Sequence, residues 1–270
     1  MTELNYFRDE VIELSKEAGE EAMGYYHRDY SVEEKADESP VTEADMASER
    51  ILIEGLKRTG YNILAEETGL IEGERDDVYW IVDPLDGTQD FIDKTGEFSI
   101  MVGLLVDGYP EFGVVYAPAR GKLWYAARGE GSHLIEDGRR LDLAVADKGS
   151  VSDYKLIASR NHFSEKDEEI SRRLGIEKIT RMGSLGIKFC TIAEARGDLV
   201  YYTTDKLGIW DCCAPHVILE EAGGEVFDVE GRSLKYDLED RRMEKGVVGL
   251  GGGPRDAVVS ILEESAEELG

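Results

Sequence analysis

The chain lacks the long apolar runs of a membrane protein. No stretch of about 18 consecutive apolar residues occurs in its 270 residues, so we expect no membrane-spanning helix. The N-terminus also lacks a basic region followed by an apolar one, which predicts a protein that is not secreted and resides in the cytoplasm. Residues 3–28 instead have the pattern of an acidic amphipathic helix, with Phe7, Val11 and Leu14 on one face.

Cysteine is scarce. The chain has only three cysteines, Cys190, Cys212 and Cys213, and no two of them have C-x-x-C spacing. An odd number with two adjacent members argues against both a disulfide framework and a zinc site. We therefore expect all three to be small, buried, apolar side chains.

Basic residues are few relative to acidic ones. The chain has 31 Lys and Arg against 58 Asp and Glu, which gives a net charge of −27. This balance argues against a protein that binds nucleic acid polymers or anionic membranes. An anionic substrate would be repelled unless cations bound in the site reversed the local sign of the charge. The acidity alone also suggests the hypothesis of a high-salt habitat.

The apolar pattern changes along the chain. Between Phe98 and Tyr125, short apolar runs separated by turn residues predict antiparallel strands. From Lys155 onward, predicted strands and helices alternate, as in α/β proteins. We predict two closely packed lobes, an N-terminal α+β lobe over residues 1–147 and a C-terminal α/β lobe over residues 148–270.

One stretch is the centre of the candidate site: Trp80-Ile-Val-Asp-Pro-Leu-Asp-Gly-Thr-Gln-Asp-Phe91. Its proline predicts that the strand ends at Asp83. Gly87 allows close backbone approach, and Thr88 can begin a helix. Two carboxylates, Asp83 and Asp86, followed by free N–H groups at a helix start, predict a site for a metal and a phosphate together. Taken alone, the same residues are also typical of an Asp-rich turn after a strand.

Three other segments carry a carboxylate at a strand end or a helix start, namely Asp45, Glu66 and Asp211. Each has a purely structural alternative: Asp45 could complete a capping box with Thr42, Asp211 could stabilise a helix N-terminus, and Glu66 could be a solvated strand end. If the segments converge, hard oxygen ligands without paired histidines favour Mg²⁺ or Mn²⁺ over Zn²⁺. Clustered carboxylates repel one another, so such a cluster makes physical sense mainly with divalent cations.

These segments resemble the motifs of a known superfamily. Trp80–Phe91 closely resembles the first signature of the lithium-sensitive, magnesium-dependent phosphatases, which include inositol monophosphatases, fructose-1,6-bisphosphatases and 3′(2′),5′-bisphosphate nucleotidases. Trp210–Gly224 resembles the second signature, and Ser39–Asp45 and Ala65–Glu67 match two further motifs. The resemblance runs from the first helix to near the C-terminus. It implies an α+β fold, a layered α-β-α-β-α sandwich of the inositol monophosphatase / fructose-1,6-bisphosphatase type.

The resemblance implies a set of metal ligands. Glu66, Asp83 and the Leu85 carbonyl would hold one Mg²⁺, and Asp83, Asp86 and Asp211 would hold another. About two or three cations would occupy the site, with Mn²⁺ as a possible substitute.

The same resemblance implies how the phosphate and the water are held. The amides of Gly87 and Thr88 would bind the scissile phosphate, and Thr88 with Asp45 would polarise the attacking water. We expect direct transfer to water without a phospho-enzyme, because no activated nucleophile is evident. The protein is thus identified as a phosphoric monoester hydrolase.

Among the branches of the superfamily, the region between residues 157 and 216 looks most like the bisphosphate nucleotidases. These enzymes remove the 3′-phosphate from 3′-phosphoadenosine 5′-phosphate, and the resemblance implies a role in sulfur assimilation. It also implies that Ser159, His162, Ser184 and Lys188 contact the non-scissile phosphate and the sugar.

The residues themselves support this choice more weakly. A second phosphate needs a second cation, which Lys188 could supply from a helix that begins near Ser184. The alternatives are that Lys188 is an ordinary surface lysine and that His162 caps the helix beginning near Ser164.

The alternative function is an inositol monophosphatase or fructose-1,6-bisphosphatase with a broad substrate range. Inositol monophosphatases usually have a glutamate seven residues before the aspartate of the second signature, whereas this chain has Thr204 there. A catalytically inactive sensor would be expected to have lost a metal ligand, and none is lost. We expect the partner to be a small phosphorylated molecule, bound by a monomer or homodimer.

Overall fold

The computed structural model describes residues 4–28, 31–34 and 40–268. The helices run over Leu4–Tyr26 (α1), Glu43–Leu56 (α2), Thr88–Ile92 (α3), Glu165–Arg173 (α4), Leu185–Ala193 (α5), Ile209–Glu221 (α6) and Arg255–Glu268 (α7). None of the helices in these residues is long and apolar enough to cross a bilayer.

The first ten strands lie in the N-terminal half. They run over Val32–Glu34 (β1), Pro40–Thr42 (β2), Tyr61–Ala65 (β3), Gly69–Ile71 (β4), Arg75–Asp86 (β5), Ser99–Val106 (β6), Tyr109–Ala117 (β7), Lys122–Ala127 (β8), Gly131–Glu136 (β9) and Arg139–Asp142 (β10). The remaining strands run over Lys155–Ser159 (β11), Lys178–Met182 (β12), Leu199–Tyr202 (β13), Glu225–Phe227 (β14) and Val247–Leu250 (β15).

Two large sheets are stacked with helices in five layers. The larger sheet has the strand order β10-β9-β8-β7-β6-β5-β3-β4, and the smaller has the order β12-β11-β13-β15-β14. α1 and α2 cover one face of the larger sheet, and α5 and α6 lie between the two sheets. α4 and α7 cover the outer face of the smaller sheet. The predicted α-β-α-β-α sandwich is confirmed.

Three apolar clusters hold the layers together. The outer clusters include Leu52 and Trp80 on one side and Tyr154 and Val258 on the other, all buried. The central cluster joins side chains of the larger sheet to those of α5, α6 and the smaller sheet, so it spans both predicted lobes. The division at residues 147 and 148 stays a prediction. The three cysteines are buried and unpaired, as expected.

α6 lies close against the larger sheet because two glycines face it. Gly103 and Gly113 are paired across β6 and β7. A Cβ added to Gly113 would lie 2.4 Å from the carbonyl oxygen of Ala214, and one on Gly103 would lie 2.6 Å from the sulfur of Cys213. Any side chain at these positions would push the helix away. The glycines therefore allow the N-terminal half of α6, which carries Asp211, to lie close to the larger sheet.

The structure corrects the predicted end of the strand at Asp83. β5 does not end at Asp83 but continues to Asp86, because a register shift between these residues accommodates Pro84, which has no N–H to donate, before Asp86 pairs with Ser99. The smaller sheet is mixed: β11 runs parallel to β12 and β13, whereas β15 runs antiparallel to both β13 and β14. The antiparallel strands between Phe98 and Tyr125 are confirmed.

Candidate active site

Three carboxylates from two distant segments meet at one end of the central layer. Asp83 and Asp86 lie on the irregular end of β5, and Asp211 lies in the first turn of α6. One oxygen of each lies within 4.8 Å of the others. The predicted convergence of these segments is therefore present in the structure.

The electrostatics of this cluster favour a bound cation. The pKa of Asp83 is raised well above its usual value, first by burial and then by the negative charges of Glu66, Asp86 and Asp211. Glu66 is therefore close enough to Asp83 to act on its ionisation, and its role as a metal ligand stays a prediction. Four acidic side chains with hard oxygen donors and no histidine among them fit a divalent cation, which would offset their repulsion.

Backbone N–H groups orient three of these carboxylates, those of Asp83, Asp86 and Asp211. Leu85 donates to Asp83 at 3.0 Å, Gly186 to Asp86 at 2.8 Å, and Gly208 to Asp211 at 2.6 Å. These bonds restrict the side chains before any ligand binds, so a metal would meet a preorganised set of oxygens.

Asp45 lies beside this cluster, and both of its carboxylate oxygens accept hydrogen bonds. One oxygen accepts bonds from the backbone N–H of Thr42 at 2.7 Å and its hydroxyl at 2.6 Å, so the capping box predicted as an alternative does form. The other oxygen lies 3.2 Å from the Thr88 hydroxyl, which also lies 3.1 Å from the Leu85 carbonyl oxygen. Burial raises the pKa of Asp45, although bonds from Thr42 and Thr88 oppose the rise. The pair predicted to polarise water is therefore in contact.

Gly87 allows the close approach that the sequence predicted. Its φ is 90°, and an added Cβ would lie 2.9 Å from the carbonyl oxygen of Glu97 and 3.2 Å from the nitrogen of Ser184. Gly87 is the N-cap of α3, and Thr88 is its first helical residue. No other residue type fits this position without strain.

The predicted substrate-binding serines have defined partners within the protein. Ser184 is buried, and its hydroxyl donates to Asp86 at 2.5 Å and lies 2.9 Å from the Ser99 hydroxyl. Ser159 accepts the backbone N–H of His162 at 3.2 Å. Ser184 thus orients a cluster carboxylate, and a contact between either serine and a substrate stays a prediction.

Lys188 and His162 lie near each other beyond Ser184. Lys188 is not an ordinary surface lysine, since only 2% of it is exposed and its Nζ lies 5.6 Å from the centre of the Tyr202 ring. The pKa of the exposed His162 is lowered by partial burial and by the positive charges of Lys188 and Lys206. Ser164, not His162, caps α4, through a capping box with Asp167. Both structural alternatives for these residues are therefore wrong.

Sequence reasoning missed the polar residues that tie these segments together. Glu97 accepts bonds from Arg120, Arg160 and the backbone of Gly183. Asp90 is buried and lies 3.2 Å from Arg160. Asp90 and Arg160 stand inside motifs already singled out, whereas nothing in the sequence around Glu97 indicates its role.

Comparisons with known proteins agree with this geometry. The model of the inositol monophosphatase family matches residues 3–261. The 3′(2′),5′-bisphosphate nucleotidase CysQ of Salmonella typhimurium is 35% identical over 244 residues, which are 88% of this chain and 97% of that protein. The solved IMPase of Thermotoga maritima has a TM-score of 0.83 at 27% identity, covering 100% of both chains. The solved CysQ of Bacteroides thetaiotaomicron has a TM-score of 0.74 at 30% identity, covering 90% of this chain and 97% of that one.

Proposed function

Because the chain belongs to the inositol monophosphatase family and is a phosphoric monoester hydrolase, we propose that it removes the 3′-phosphate from 3′-phosphoadenosine 5′-phosphate. Its similarity to bisphosphate nucleotidases over most of both chains supports this substrate. The observation that carries the proposal is the position of Lys188, a buried cation in the first turn of the helix whose cap, Ser184, contacts the acidic cluster. No ion pair joins Lys188 to a carboxylate within the described residues, which supports assigning its charge to a second phosphate.

The metal assignment follows the ligand sets implied by the motifs. Glu66, Asp83 and the Leu85 carbonyl would hold one Mg²⁺, and Asp83, Asp86 and Asp211 would hold another, with Mn²⁺ as a substitute. When bound, such cations lower the pKa of the attacking water and neutralise charge on the phosphoryl oxygens. The repulsion within the cluster supports a site that needs cations.

In the proposed reaction, Thr88 and Asp45 remove a proton from the attacking water. The attacking water donates a hydrogen bond to the Thr88 hydroxyl, which donates to Asp45. As the water oxygen bonds to phosphorus, the water gives a proton to Thr88 and Thr88 gives its proton to Asp45. The bond between phosphorus and the ribose 3′ oxygen breaks, and that oxygen takes a proton from solvent. The amides of Gly87 and Thr88 hold the transferred phosphate. Burial raises the pKa of the Cys190 and Cys212 thiols, which argues against a cysteine nucleophile.

A panel of phosphate esters tests the substrate. Phosphate release is measured from 3′-phosphoadenosine 5′-phosphate, inositol 1-phosphate, fructose 1,6-bisphosphate and NADP⁺, with Mg²⁺, with EDTA and with Li⁺. We expect the highest kcat/KM on 3′-phosphoadenosine 5′-phosphate, no turnover in EDTA, and inhibition by Li⁺. A preference for inositol 1-phosphate or fructose 1,6-bisphosphate would instead establish a broad monophosphatase.

Lys188→Met tests the second-phosphate site, because Met keeps the buried stem and removes the charge. We expect kcat/KM for 3′-phosphoadenosine 5′-phosphate to fall about tenfold to a hundredfold, the loss expected for a charged hydrogen bond. Adenosine 3′-phosphate, which lacks the second phosphate, should be cleaved as by the wild type. Lys122→Met is the control, since Lys122 is largely buried but paired with Glu194. Equal losses on both substrates would exclude this role.

A further inference from the structure

The carboxylate of Glu97 receives hydrogen bonds from three separate parts of the chain. Its Oε1 accepts from the Arg120 guanidinium at 2.8 Å. Its Oε2 accepts from the Arg160 guanidinium at 2.6 and 3.2 Å and from the Gly183 backbone N–H at 2.7 Å. The side chain is only 12% exposed. Such a fully satisfied, charge-assisted arrangement fixes its partners more firmly than an exposed ion pair does.

Two of these partners belong to the segments proposed to bind the second phosphate. Arg160 lies between Ser159 and His162, and its Nε lies 3.2 Å from Asp90 as well. The neighbouring Asn161 also donates to Asp90, at 3.1 Å. Because Asp90 lies in α3, two residues after Thr88, the loop that carries His162 is fastened directly to the helix that follows the acidic strand end.

The third partner, Gly183, precedes the turn that begins α5. Ser184 has a φ of 51°, a left-handed conformation that a non-glycine residue adopts only when its surroundings hold it there. Glu97 holds the preceding N–H, while the Ser184 hydroxyl caps α5 by accepting the Ile187 N–H at 3.0 Å. The position of Lys188, one turn further on, therefore depends on this turn.

We propose that Glu97 is a positioning residue for substrate specificity. It fixes the loop of His162 and the start of α5, with Lys188, relative to the acidic cluster, and so sets the distance between the sites for the scissile and the second phosphate. The identity of the ligand rests on the proposed function. The fastening of the two segments does not, because it follows from the contacts alone.

Glu97→Gln tests this role because an amide nitrogen replaces one of the accepting oxygens. Using the metal-loaded enzyme, we expect KM for 3′-phosphoadenosine 5′-phosphate to rise about tenfold while kcat changes less than about threefold. KM for adenosine 3′-phosphate should change less than about threefold, since that substrate does not need the second site. Equal KM changes on both substrates would overturn the proposal.

Glu194→Gln is the matched control. Glu194 is 10% exposed and also fastens α5 to the larger sheet, by accepting bonds from Lys122 at 2.9 Å and Trp124 at 2.9 Å, but at the opposite end of the helix. Both variants should lower the unfolding midpoint, and only Glu97→Gln should change the ratio of the two KM values. The same change of ratio in Glu194→Gln would make Glu97 merely structural.

Hydrogen exchange separates this inference from the proposed function. In Glu97→Gln, amides of peptides covering residues 159–162 and 183–188 should exchange faster than in the wild type, whichever substrate the enzyme prefers. Unchanged exchange there would overturn the inference even if the nucleotidase activity is found. If Glu97→Gln does not fold, Arg160→Lys serves instead: one ammonium cannot reproduce the paired bonds to Glu97 and the contact with Asp90, so the same changes should appear at smaller size.

Discussion

Asp45 has two hydrogen-bonding roles, one for each carboxylate oxygen. Its bonds to Thr42 cap α2, and its contact with Thr88 faces the acidic cluster. The same residue therefore stabilises a helix and, in the proposed reaction, accepts the proton of the attacking water. Its raised pKa suits the second role, because a base that accepts a proton most effectively has a pKa near the working pH.

Asp45→Asn should separate the two roles. We expect kcat to fall about 10²- to 10⁴-fold, the contribution of a general base, while the protein stays folded. In the wild type the ionised form is required, so activity should fall as pH drops through the raised pKa of Asp45, above the ordinary value of 3.8. Measuring kcat from pH 4 to 9 should show this acidic limb in the wild type and not in the variant.

The capping box of α4 provides a control. Asp167 completes a box with Ser164 in the way that Asp45 does with Thr42, but it belongs to α4, on the outer face of the smaller sheet. Asp167→Asn should cost up to about 0.5–2 kcal/mol of stability, as lost caps do, and leave kcat unchanged. If Asp45→Asn behaved in the same way, Asp45 would be a cap alone.

At the scale of single residues, the sequence predicted the candidate metal ligands but not the residues that hold the surrounding segments in place. Asp83, Asp86 and Asp211 stand in motifs whose residue types already indicate their chemistry. Glu97 has partners 23, 63 and 86 residues away, and no local pattern encodes such pairings. Lys188 could be proposed from its spacing to Ser184, but its burial depends on packing between the two sheets.

At the scale of elements, the position of α6 depends on the absence of side chains at Gly103 and Gly113 of the larger sheet. Gly113→Ala should destabilise the protein by about 1–3 kcal/mol, because the new Cβ meets backbone atoms of Ala214 that cannot move alone. The displaced helix carries Asp211, so we also expect a higher Mg²⁺ concentration at half-maximal activity. Chemical denaturation and a Mg²⁺ titration of activity measure the two effects.

Gly24→Ala is the matched control for this substitution. Gly24 is exposed on α1, and a Cβ there would meet nothing within 4 Å. Alanine is a better helix former than glycine, so this variant should gain up to about 1 kcal/mol and keep the wild-type Mg²⁺ dependence. Wild-type stability in Gly113→Ala would show that α6 does not depend on the close approach.

The apolar pattern predicted most elements and the antiparallel strands between Phe98 and Tyr125, but not how the strands of the smaller sheet pair. The capping box of Thr42 and Asp45, which the sequence offered as an alternative, does form at the start of α2, because a cap is a local signal. The antiparallel pairing of β14 with β15 has no such local signal. The register shift near Pro84 likewise cannot be predicted from the sequence of β5 alone, because it is a property of the pairing of β5 with β6.

At the scale of the whole molecule, the acidic surface and the acidic site share one problem, which is repulsion between negative charges. The net charge of −27 is spread over exposed segments such as residues 72–77, which carry four carboxylates, while the cluster at Asp83 is buried. Charges of one sign repel across the folded surface and oppose the compact state. Bound cations would offset this repulsion inside the proposed metal site, whereas dissolved salt would screen it at the surface.

The stability of the metal-free protein should therefore rise with salt. The Debye length falls from about 30 Å at 0.01 M to about 3 Å at 1 M, so most surface repulsion should be screened over that range. A gain of about 1–2 kcal/mol would raise the unfolding midpoint by roughly 2–8 °C in a chain of this size. Thermal unfolding in EDTA with increasing KCl measures the shift, and choline chloride should act equally, because screening does not depend on which cation is used. A midpoint that is flat or falls with salt would refute both this account of the acidity and the high-salt hypothesis.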